Sequence, residues 1–144
     1  MRIARRNVLL SFLGLMAVPV LGLKNVLAAS SEHAAADHLA RQLATLVPHP
    51  ESARLIGAAY LAATPQEADV MTLIKFLCPD LNGSGLNARL QIPPRARLRR
   101  QLAAQRRDDF SEGRIVRLKG WIVANTEARL CALVALCTPP KRFG

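Results

Sequence analysis

Residues 126–137 read T-E-A-R-L-C-A-L-V-A-L-C, and from Leu130 to Cys137 every residue is apolar. Asn125 or Thr126 offers a cap and Thr138-Pro139-Pro140 a stop, so the spacing predicts a helix that is apolar all round. Such a helix belongs at the centre of a bundle or beneath a partner, because it has no polar stripe to turn to water. The rest of the chain must therefore supply amphipathic helices to surround it.

Working outward, S-E-H-A-A-A-D-H-L-A-R-Q-L-A-T-L-V (31–47) sets Ala36, Leu39, Leu43 and Leu46 at helical spacing, with Ser30 or Ser31 as cap. Pro48-His49-Pro50 ends it. A second helix starts at Pro50 and carries Leu55, Ile56, Ala59, Tyr60 and Ala63 on its apolar side, with Gly57 placed to let a neighbouring helix come close. Thr64-Pro65-Gln66-Glu67 has the form of a capping box for a third helix running to Leu77. Residues 79–93 hold turn formers and no period, and read as a loop. Pro93-Pro94 open a fourth helix with arginines at 95, 97, 99, 100, 106 and 107, leaving a narrow stripe of Leu98 and Leu102. R-I-V-R-L-K-G-W-I-V (114–123) alternates like a strand. A lone strand needs a partner, so this segment is an extended arm, half of a hairpin with residues 90–92, or an edge for another chain. The expected fold is mainly α, a small bundle of about five helices with one short extended or β segment near 114–123.

The first thirty residues have a different texture. Arg2, Arg5 and Arg6 precede an uncharged run from Val8 to Leu23, too short for a comfortable membrane span of about 20 residues. Val26-Leu27-Ala28 gives an A-x-A-like site, with cleavage expected after Ala28 or Ala29. The chain thus divides into a cleavable signal (1–28) and one small helical domain (29–144). Arg5-Arg6-Asn7-Val8-Leu9 resembles the twin-arginine (Tat) export signal, although Ala4 and Val8 depart from its commoner residues, and Lys24 resembles the basic residue that discourages the Sec route. The resemblance implies the Tat translocase as a partner during export and a bacterial periplasmic or secreted location.

Removing residues 1–28 takes four of the twenty Lys and Arg and none of the ten Asp and Glu, so sixteen bases face ten acids, a charge of +6. For an exported chain, that charge suits an anionic lipid, an acidic protein face or an acidic polymer, and nucleic acid is not an expected partner. Membrane contact is expected only through the signal segment or weak electrostatics. Cys131 and Cys137 lie six apart, about 240° around a helix, so any bridge would join Cys78 to one of them. All three sit among apolar residues, where thiols usually pack as small hydrophobes.

Reactive constellations are scarce. The sequence holds no HExxH, CxxC, dinucleotide fingerprint or G-x-S-x-G, and Asn82-Gly83-Ser84-Gly85 lacks the Gly-Lys pair of a phosphate loop. His33 and His38 are five apart, about 140° around a helix, and would not share a metal. Neither catalytic, cofactor nor metal residues are assigned, and Cys78 has no evident base. The segment G-W-I-V-A-N-T-E-A-R-L-C-A-L (120–133), with S-A-R-L-I-G-A-A-Y-L (52–61) and the twin arginines, resembles small Tat-exported bacterial proteins of uncharacterised family. In architecture alone the chain is similar to the small subunits of periplasmic flavin dehydrogenases, which implies a role beside a larger, cofactor-bearing oxidoreductase subunit. The expected function is a non-catalytic exported accessory protein or small subunit. Its alternative is a stand-alone binding module for an anionic partner or membrane surface. Trp121 and the arginines Arg95, Arg99, Arg100, Arg106 and Arg107 are the contact candidates, since Trp and Arg are enriched at binding hot spots.

Overall fold

The computed structural model describes residues 21–81 and 92–138, with side chains from residue 30 onward except Ser31. Arg5, Arg6, the side chains of Ala28 and Ala29, and most of the 79–93 loop lie outside the described residues. Five helices and a two-stranded antiparallel hairpin follow in the order α1 (Leu21–Ala44), α2 (Pro50–Ala63), α3 (Val70–Leu77), α4 (Arg95–Ser111), β1 (Ile115–Leu118), β2 (Trp121–Ala124) and α5 (Asn125–Cys137).

The apolar helix α5 stands at the centre and touches all four other helices and both strands. Ala128, Ala132 and Leu133 join Leu39 and Leu43 of α1, Leu73, Ile74 and Leu77 of α3, and Leu98 and Leu102 of α4 in one core. The two leucines of α4 are thus its buried stripe. Cys131 and Val134 turn the other way, onto Ala53 of α2. Of α2, the face that meets α5 is Ala53, Gly57 and Tyr60. A Cβ on Gly57 would lie 2.1 Å from the Cys131 carbonyl oxygen, so the missing side chain is what lets the two backbones approach. With this small-residue face turned inward, Leu55 is left 58% exposed, against its expected place in the apolar side.

Several local expectations are corrected. Ser30 and Ser31 do not cap α1, which is already helical from Leu21, and it ends at Ala44 with a turn through Val47. Pro65–Glu67 forms a separate 3₁₀ turn, and the cap of α3 is Asp69, whose carboxylate accepts from the Thr72 N–H at 2.8 Å. Pro79–Leu81 is likewise a 3₁₀ turn rather than open loop. Neither Asn125 nor Thr126 caps α5 by its own side chain; the Asn125 Oδ1 is buried without a hydrogen bond.

The strand-like segment pairs with itself. Ile115, Val116, Arg117 and Leu118 face Ala124, Val123, Ile122 and Trp121, and Lys119-Gly120 form the two-residue turn between them. Their φ values, 49° and 86°, are both positive, as a type I′ turn requires to match the right-handed twist of its strands.

Candidate interaction surface

Two polar clusters hold the scaffold in place. Glu67 accepts from the Tyr60 hydroxyl at 2.7 Å and from the Arg129 Nε and Nη2 at 2.8 Å each, a bidentate pair between the α2–α3 turn and α5. Arg129 also lies 3.9 Å over the Phe76 ring. The Arg129 hydrogen bonds hold the Glu67 carboxyl below its ordinary 4.5, while burial, then the Glu67 hydrogen bond, raises the Tyr60 phenol. In the second cluster, buried Asp109 of α4 accepts from the Thr126 N–H at 2.7 Å and its Oγ1–H at 2.6 Å, and pairs with Arg114 at 2.7 Å. Asp109 therefore caps α5 from another helix. Burial pushes this carboxyl up, but the bonds from Thr126 and Arg114 outweigh it and hold it below its ordinary 3.8.

These anchors fix where the hairpin stands. Asp109 grips the α5 start directly after β2, and the Arg114 N–H before β1 donates to the Asp109 carbonyl at 2.8 Å. On the inner side, Leu118 and Val123 are buried; on the outer side, Ile115, Arg117 and Ile122 face solvent. Trp121, opposite Leu118 beside the turn, is 70% exposed. A cleft of about 370 Å³ opens between it and α2, lined by Ser52, Leu55, Ile56, Ala59, Leu118 and Lys119. Trp121 is thus withheld from the core.

The arginines of α4 have separate surroundings. Arg95 is spent locally, donating to the Thr45 carbonyl at 2.7 Å and tying α4 to the end of α1. Arg97, Arg99, Arg100, Arg106 and Arg107 are exposed. Arg99 and Arg106 edge a smaller cleft of about 170 Å³ floored by Leu46, Leu102 and Leu130, which shares no lining residue with the cleft beside Trp121. Trp121 and the pair Arg99 and Arg106 accordingly line two separate clefts.

Among the described residues no group of three or more His, Cys, Asp and Glu is placed to hold a metal, and no helix is long and apolar enough to cross a membrane. The three cysteines are free. Burial, with Asp80 adding to it, pushes the Cys78 thiol up to about 11; burial with Glu127 does the same for Cys131. A thiol so raised is almost wholly protonated near neutral pH, which makes it a poor nucleophile. Sequence reasoning missed Tyr60, Glu67, Asp109 and Arg129, whose pairings span up to 62 residues and leave no local spacing signal.

Comparison with protein-family models, curated proteins and solved structures finds no match for this chain.

Proposed function

We propose that the chain is an exported, non-catalytic accessory protein that works by contact, in the manner of a small subunit beside a larger Tat-exported enzyme. The supporting observation is Trp121, 70% exposed on a hairpin whose turn and base are both fixed. A large aromatic left in water on a rigid element costs solvation that burial against a partner recovers. The exposed arginines of α4 add a second surface, suited to an acidic protein face. The Arg5-Arg6 pair before an apolar run supports Tat export to the periplasm, with any cofactor held by the partner.

Affinity purification from the native periplasm tests both parts of this reading. The expected product starts at residue 29 or 30 and brings a larger protein with it. Recovery of the chain entirely alone would remove the subunit reading, and its absence from the periplasm would remove export. A stand-alone module for an anionic surface is the second reading, favoured by the basic residues around the tryptophan.

A further inference from the structure

We infer that the hairpin tip is a docking element for an anionic phospholipid bilayer, with Trp121 and Ile122 entering the interface and Arg117 and Lys119 meeting the headgroups. The inference rests on reading the hairpin as a contact surface and goes beyond it by naming the occupant. Charge complementarity points to that occupant. From Gly113 to Thr126 the chain carries no acidic residue, and beyond Arg114, which is taken by Asp109 and Glu112, its cations are Arg117 and Lys119. Glu112, just before this stretch, is paired with Arg114, and Glu51, one turn before Leu55 on α2, is held by Arg54 at 3.1 Å. Arg117 and Lys119 are exposed, Arg117 opposite the exposed Ile122 across the hairpin and Lys119 in the turn just before the exposed Trp121.

Size points the same way. A stable protein interface engages roughly 20–30 residues on each side. The hairpin spans only residues 115–124, and its exposed large apolar side chains are Ile115, Trp121 and Ile122. A protein partner would have to engage α2 beside the hairpin as well, whereas an interfacial anchor needs only a few aromatic and aliphatic side chains beside cations, which the hairpin supplies by itself. The two-residue turn also presents the tip already ordered, so little conformational entropy is lost on docking.

Trp121 is the sole tryptophan of the chain, so its emission in the full-length protein reports the tip and not the apolar amino-terminal run. The experiment adds vesicles of phosphatidylglycerol mixed with phosphatidylcholine, and, separately, vesicles of phosphatidylcholine alone. Expected are a blue shift of Trp121 emission and its quenching by bromine-labelled acyl chains, with anionic vesicles only and weakening as salt rises. The pair Arg117→Glu and Lys119→Glu, at exposed positions that leave folding intact by circular dichroism, should weaken this response about tenfold or more. Arg99→Glu with Arg100→Glu should leave the Trp121 response in place. An unshifted Trp121 with anionic vesicles overturns the inference, as does an equal response to neutral vesicles or one abolished by the α4 pair instead. If vesicles fail while a larger protein still co-purifies through Trp121, docking to lipid is wrong and the contact reading stands.

Discussion

Glu67 gathers three hydrogen bonds from two partners, and its charge is what makes the cluster cohere. Replacing it with glutamine keeps the shape but leaves the guanidinium of Arg129, which is largely buried, without a counter-charge. Glu67→Gln should cost about 2–3 kcal/mol in urea denaturation, toward the lower end for breaking a buried ion pair because Arg129 retains some exposure. The same residues set the acid limit. Glu67 and Asp109 both have folded pKa values below their ordinary ones, so their stabilisation is complete above about pH 5 and is lost as pH falls through the folded values. The melting temperature should hold between pH 7 and about 5, then fall as pH drops below about 4.5. Glu67→Gln and Asp109→Asn should each flatten that fall. None of this was legible beforehand: Glu67 sits where a capping box would want it, yet its carboxylate is taken by Arg129, 62 residues later.

At the scale of elements, the α2–α5 contact turns on Gly57. Elsewhere in a helix, Gly→Ala gains roughly 0.5–1 kcal/mol from backbone entropy. Here the new Cβ would strike backbone atoms of Cys131 and Ala132, which cannot rotate away as a side chain could. Gly57→Ala should therefore destabilise by about 3 kcal/mol or more, a change of sign that chemical denaturation will show. The hairpin offers the opposite case. Lys119 holds φ at 49°, a conformation costing an ordinary residue roughly 1–2 kcal/mol. Lys119→Asn creates the favoured Asn-Gly turn and should raise stability by about 1 kcal/mol, read as a higher melting temperature. The helices and the close-approach role of Gly57 were legible because periodicity and a small residue are local signals. The hairpin was only half legible, since Lys-Gly is a weak turn signal and the ten residues read as one strand.

For the whole molecule, the apolar run at 130–137 determined the architecture, and α5 does lie at the centre. What the same pattern could not decide was the fate of Trp121, because alternation places it on the inner side of the hairpin with Leu118, while beside the turn it faces a cleft against α2 and stays exposed. Its exposure separates stability from function. Trp121→Ser should change unfolding free energy by no more than about 0.5 kcal/mol, as for other surface substitutions. The central claim is that this protein acts by contact through that residue. The most direct test compares the elution size of wild-type and Trp121→Ser protein from gently broken native cells. The account predicts a wild type that elutes with a larger species and a variant that elutes alone at the size of one chain; two identical elution profiles would contradict it.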